Sequence, residues 1–88
     1  MLRITETMSS TGTTLRVEGK LLAPWVDELA KAHTAATARS ERVNLDLSGL
    51  TYLDESGAQA LKAMTQKGAS ILTCSSFVAE YLKGWDHA

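Results

Sequence analysis

The residues best suited to chemistry in this chain are Asp54, Glu55, Ser56 and Gly57, which stand together between an apolar run and a helical pattern. A serine beside two carboxylates admits nucleophilic attack, helix capping or modification of its hydroxyl. Attack is the poorest fit. A nucleophile elbow reads G-x-S-x-G, and neither flanking glycine is in place. His33 falls on an apolar helical stripe and His87 lies near the chain end, so neither is a base for Ser56. No S-x-x-K starts at Ser56, and no G-x-x-x-x-G-K-[ST] phosphate loop is present. Cys74, His33 and His87 are too scattered to form a metal ligand set. The sequence therefore predicts no enzyme, with no catalytic residue, no metal and no cofactor.

Capping fits well. Ser56-Gly57-Ala58-Gln59 matches the capping box S-x-x-Q, in which the serine hydroxyl accepts from the N–H of residue 59 and Gln59 returns to the N–H of Ser56. Asp54 and Glu55 suit the positive end of a helix dipole. Modification fits the same place, because a helix N-terminus tolerates a phosphate.

The surrounding elements follow from periodicity. Residues 2–8 read as a strand, and Ser9–Thr13 as a turn. Residues 14–19 alternate, with Leu15 and Val17 on one face, and pair with the first strand as a hairpin. Gly19–Ala23 reads as a loop. Pro24 opens a helix to about Ala38, with Trp25, Val26, Leu29, Ala30, His33 and Ala36 or Thr37 on one side. Val43, Leu45 and Leu47 alternate with Asn44, Asp46 and Ser48. Residues 57–67 form a helix with Ala60, Leu61 and Met64 inward, stopped by Gly68. Residues 69–74 read as a short buried strand, with Cys74 a small apolar residue. A last helix, capped by Ser75 or Ser76, turns Phe77, Val78, Tyr81, Leu82 and Trp85 to one face. Trp25 and Trp85 read as packing residues. The order β-β-α-β-α-β-α predicts an α/β fold with a four-stranded mixed sheet. The last three strands run parallel, and the helices lie on one face.

Eighty-eight residues make one domain, 1–88. Nine Lys and Arg balance ten Asp and Glu, with no basic cluster, which argues against nucleic acid. A single cysteine excludes an intrachain disulfide. The start lacks a charged segment followed by a long apolar run, and no apolar stretch approaches the ~20 residues of a membrane span. The expected location is the cytoplasm, without direct membrane insertion.

The segment VNLDLSGLTYLDESGAQAL, residues 43–61, resembles the signature of the STAS domain, the fold of bacterial anti-sigma-factor antagonists. That family shows a strand of the form "vvlDLsgvtfiD", then Ser-Ser-Gly or a close variant, then a helix opening "lgaL". Asp46, Leu47, Ser48, Gly49, Asp54, Ser56, Gly57 and Leu61 fall on this pattern. VEGKL, residues 17–21, is similar to the family's segment ahead of the first helix, and GASILTC, residues 68–74, to its penultimate strand. The likeness covers nearly the whole chain.

It implies a protein-binding module. In phosphorylated members the modified residue immediately precedes the glycine, which places phosphorylation at Ser56. The unmodified domain would bind an anti-sigma factor that is also a serine kinase, and phosphorylation would release it. Asp54, Glu55, Ser56, Gly57, Gln59 and Lys20 would meet the partner. Glu55 departs from the small residue usual before the phosphosite. This departure points to an alternative: a STAS accessory subunit packed on the ATPase of a lipid ABC-type transport complex, without control by phosphate. The sequence leaves self-association open.

Overall fold

The computed structural model describes residues 2–40 and 42–82. Two strands, β1 (Leu2–Ser9) and β2 (Gly12–Leu21), form an antiparallel hairpin whose register runs unbroken from Leu2 opposite Gly19 to Ser9 opposite Gly12. Helix α1 (Ala23–Arg39) follows, with Pro24 in its first turn, where its missing N–H leaves no bond unmade. Next come β3 (Val43–Leu47), β4 (Leu50–Leu53), α2 (Glu55–Gln66), β5 (Ser70–Cys74) and α3 (Ser76–Leu82). The sheet order is β1-β2-β3-β5, and β4 also pairs with β2. The first half of β2 runs parallel to β3, from Thr13 beside Val43 to Arg16 beside Asp46. Its last residues run parallel to β4, with Lys20 beside Tyr52 and Leu21 beside Leu53.

The α/β architecture is the one the periodicities predict, with one more strand. The turn at Ser48 and Gly49 lets the chain re-enter the sheet as β4, which takes up the half of β2 that β3 leaves free. That pairing also extends β2 through Leu21, where a loop is expected from the sequence.

One sheet face makes the core. Leu15, Val17 and Leu21 of β2, Leu45 and Leu47 of β3, and Leu53 of β4 are fully buried with Leu29, Leu61 and Val78 from the three helices. Burying a leucine of this kind is worth roughly 1.5–3 kcal/mol, so these side chains, with Leu50 of β4, carry most of the core. The other face is polar. It carries Thr14, Arg16 and Glu18 in line with Asn44 and Asp46, and Arg16 and Glu18 pair at 3.9 Å.

Several expected burial patterns shift. On α1 the inward side chains are Leu29, His33 and Ala36, flanked by half-buried Val26 and Ala32; Ala30 and Thr37 face out, and Trp25 is 38% exposed. β5 is an edge strand with a register break, so Ile71 is half-buried and Leu72 is 59% exposed. Among the side chains described on α3, Val78 is the buried one, whereas Phe77 and Tyr81 are exposed. Phe77 lies about 100° and Tyr81 about 60° around the helix from Val78 in the same rotational sense, so the two share a flank beside the buried stripe and not its centre. Ser75 caps this helix, its Oγ accepting from the Val78 N–H at 3.3 Å. Trp85, His87 and the expected helix end at Lys83 and Gly84 lie outside the described residues.

His33 is buried at 6% exposure, and its Nε2 has no hydrogen-bond partner among the described residues. Burial, and then the nearby Lys67 ammonium, hold its pKa below the ordinary 6.5. The neutral ring is therefore the folded form. Below about pH 6.5 the unfolded chain takes a proton that the folded chain refuses, so stability falls as pH drops. Melting temperature measured between pH 5 and 7.5 should decline on the acid side, and His33→Leu should flatten that decline. Asp46 and Asp54, whose pKa values are lowered from 3.8, act only at more acid pH.

Candidate functional site

The helix start that carries Ser56 is organised by Asp54. Asp54 has an extended backbone and is the N-cap of α2. Its Oδ1 accepts from the Gly57 N–H at 2.8 Å, and its Oδ2 accepts from the Ala23 N–H at 2.9 Å. One carboxylate thus ties the first turn of α2 to the first turn of α1. The Gly57 N–H, then the Ala23 N–H, hold the Asp54 carboxyl below its usual range, so it is ionised at neutral pH.

The capping box expected on Ser56 and Gln59 does not form. The helix begins two residues earlier, because an aspartate N-cap accepts from the third helical residue, and that residue is Gly57. Ser56 is the second residue of the helix, and it is exposed. Its hydroxyl makes no hydrogen bond among the described residues. Capping therefore does not occupy the serine, and Oγ is open to solvent and to an approaching group.

Gly57 is buried and carries the close approach of α2 to the sheet. A Cβ there would stand 2.4 Å from the Leu21 carbonyl oxygen. The same oxygen accepts from the Asp54 N–H at 3.2 Å, which fixes it in place. Gly57 thus offers no surface of its own; it seats the exposed residues beside it.

The structure brings Asp54, Glu55, Ser56, Gly57 and Gln59 together on two turns of one helix, with Glu55, Ser56 and Gln59 exposed. Lys20 is exposed near the carboxyl end of β2, beside Tyr52 of β4. It shares the sheet edge of α2's start but has no hydrogen bond or ion pair with Ser56 among the described residues. The carboxyl edge of parallel strands is the usual ligand side of an α/β layer.

Two features escape sequence reasoning. The Asp54 tether to Ala23 joins residues 31 apart, and no local pattern announces it. Tyr52, Phe77 and Tyr81 form an exposed aromatic row, with Tyr52 stacked on Phe77 at 5.8 Å and Phe77 edge-on to Tyr81 at 5.7 Å. The adjacency of Phe77 and Val78 was the available signal, since neighbouring helical residues cannot both face one core. Trp25, expected to be packed, is another exposed aromatic. No group of three or more His, Cys, Asp or Glu among the described residues is arranged to hold a metal ion. No helix among them is long and apolar enough to cross a membrane.

A mixed sheet with three helices on one face, and a polar helix start at the carboxyl edge of its strands, defines a small α/β domain of the SpoIIAA-like kind. The chain belongs to the STAS domain family: the family model described as "Mlab, STAS domain" matches residues 4–74. No curated protein matches it. Among solved structures it is similar to an anti-sigma factor antagonist from Mycobacterium paratuberculosis, with 19% identity, TM-score 0.77, and coverage of 99% of this chain and 81% of that one. It is also similar to an antisigma-factor antagonist STAS domain from Rhodobacter sphaeroides, with 27% identity, TM-score 0.61, and 80% and 82% of the two chains covered. A third is the anti-sigma factor antagonist SpoIIAA in its unphosphorylated form, with 16% identity, TM-score 0.59, and 93% and 99% covered.

Proposed function

We propose that this STAS domain is a protein-binding regulatory module of the anti-sigma-factor antagonist type, switched by phosphorylation of Ser56. The observation that carries the proposal is the free, exposed Ser56 hydroxyl in the first turn of α2, where Asp54 does the capping. A kinase can reach this oxygen, and a phosphate on it meets a helix N-terminus without displacing a buried group. In this reading Glu55, Ser56 and Gln59 touch the anti-sigma factor, Lys20 flanks them, and Asp54 and Gly57 hold the surface in shape. The three antagonists described above support the reading through their likeness to this chain.

The test uses the cognate anti-sigma kinase with ATP, followed by mass spectrometry of the peptide that contains Ser56. A phosphate on Ser56 is the expected result. No modification by a kinase that is active on another substrate would remove the switch.

A second reading has its own support. Glu55 is exposed one residue before Ser56, a standing negative charge that a phosphate must accommodate. The family model that matches also bears the name Mlab and not that of an antagonist. In this reading the same helix edge packs on a transport ATPase, and Ser56 stays unmodified. Co-purification with an ATPase or permease, together with transporter genes beside this one, would select it over the first.

A further inference from the structure

The edge of the sheet at β1 is open among the described residues. β1 pairs only with β2 among the described residues. It is eight residues long, keeps an unbroken register, and contains no proline, glycine or lysine. Natural sheets usually blunt such an edge with a bulge, a proline, a charge or a cover; the charges on β1 are Arg3 and Glu6, and Glu6 is already neutralised by Arg39. We propose that β1 pairs antiparallel with β1 of a second copy of this chain, with Thr5 on the two-fold axis, to make one continuous sheet.

The sequence of β1 selects this centre. A two-fold perpendicular to the sheet keeps like faces together, so facing residues have the same parity. With Thr5 opposite Thr5, Ile4 meets Glu6, Arg3 meets Thr7 and Leu2 meets Met8. Met8, which is 64% exposed, then gains an apolar neighbour in Leu2 of the other copy. A centre on Arg3 or on Glu6 would oppose like charges, which destabilises a cross-strand pair. A centre on Ile4 would leave Met8 beyond the pairing.

The groove beside β1 provides an independent reason for choosing a second copy as the occupant. It lies between β1 and α1, and Ile4, Glu28, Lys31, Ala32, Ala35 and Arg39 line it. Ser40, just after α1, bonds Thr13, which stands opposite Met8; three strand residues back from Met8, at about 3.3 Å each, match about seven helical residues at about 1.5 Å each, so the axis through Thr5 passes near the middle of α1. The same two-fold sets the two α1 helices antiparallel. Glu28, toward the start of one helix, then faces Arg39, toward the end of the other, on both sides of the axis. Arg39 already bonds Glu6 through one guanidinium nitrogen, and its remaining N–H groups are free to serve a second carboxylate. The charges on this flank are thus complementary to their own two-fold image.

Sedimentation of the intact chain should show an average mass that rises from monomer toward dimer between about 10 µM and about 1 mM, the range of a small transient interface. Cysteine pairs locate the axis. In a Cys74→Ser background, Thr5→Cys places two sulfurs on facing residues whose Cα atoms are about 4.5–5.5 Å apart, which is within disulfide reach. Thr7→Cys places them four residues apart, about 13 Å. Mild oxidation should cross-link the first variant at least tenfold more than the second, with circular dichroism showing that both are folded. Glu28→Lys should weaken dimerisation severalfold. A chain that stays monomeric throughout, a dimer that Thr5→Cys fails to cross-link, or equal cross-linking at positions 5 and 7 would each overturn the proposal.

Discussion

Gly57→Ala is expected to lower the melting temperature by about 10–30 °C. The new Cβ would meet the Leu21 carbonyl oxygen at 2.4 Å and the Leu21 Cγ at 3.0 Å. A flexible side chain can move away from such a contact, but this oxygen belongs to the backbone and is held by the Asp54 N–H at 3.2 Å. Relief requires α2 to lift off the end of β2. That movement loosens the burial of Ala58 and Leu61 and strains the Asp54 bonds to Gly57 and Ala23. Overpacking with backbone displacement costs about 2–4 kcal/mol, a large part of the stability of a domain this small. Gly68→Ala is the control. Gly68 has φ +106 and no atom within 4 Å of a built Cβ, so its cost is conformational alone, about 1–2 kcal/mol. Thermal melts followed by circular dichroism should rank wild type above Gly68→Ala, and Gly68→Ala above Gly57→Ala.

Ser56→Asp is expected to weaken binding of the cognate anti-sigma factor by about 5- to 150-fold, while Ser56→Ala binds as wild type does. One negative charge about 5 Å from a partner carboxylate, at an effective dielectric of 20 to 80, costs roughly 1 to 3 kcal/mol. A true phosphate carries about twice that charge and should have a larger effect. Neither substitution should disturb the fold, since the Ser56 side chain is exposed and the cap is Asp54. Titration calorimetry at low and at 0.5 M salt separates charge from shape, because screening shrinks a charge effect (the Debye length falls from about 10 Å at 0.1 M toward 3 Å at 1 M). Equal affinities for the Asp and Ala variants would argue against an electrostatic switch at this position.

Where one face of an element is buried, the amino-acid pattern was enough to place it. Leu15 and Val17 alternate with Thr14, Arg16 and Glu18, and Val43, Leu45 and Leu47 with Asn44 and Asp46; both runs form half-buried strands. Gly68 ends α2 as its residue type predicts: its N–H reaches the Thr65 carbonyl, and the Ala69 N–H reaches that of Met64. The errors fall where distant chain decides. β4 exists because β2 is longer than β3, a matter of partner lengths and not of local composition. β5 reads as buried from Ile71, Leu72 and Cys74, but a sheet edge with a register break exposes half of it. At the site, Asp54 and Ser56 are both good caps by residue type. The choice between them falls to Asp54, which also receives the N–H of Ala23 from another helix. Composition and spacing located the start of α2 within two residues, and a tertiary contact chose its cap.

The division of labour between Asp54 and Ser56 also bears on how this chain can diverge. Loss of Asp54 removes both bonds that fasten the two helix starts, so a gene that drifts at codon 54 loses a working molecule. Loss of Ser56 removes nothing that holds the domain together. Codon 56 can therefore change in a duplicated copy and leave a stable domain with an altered response. Descendants of one ancestor can keep the scaffold while some respond to modification at this helix and others ignore it.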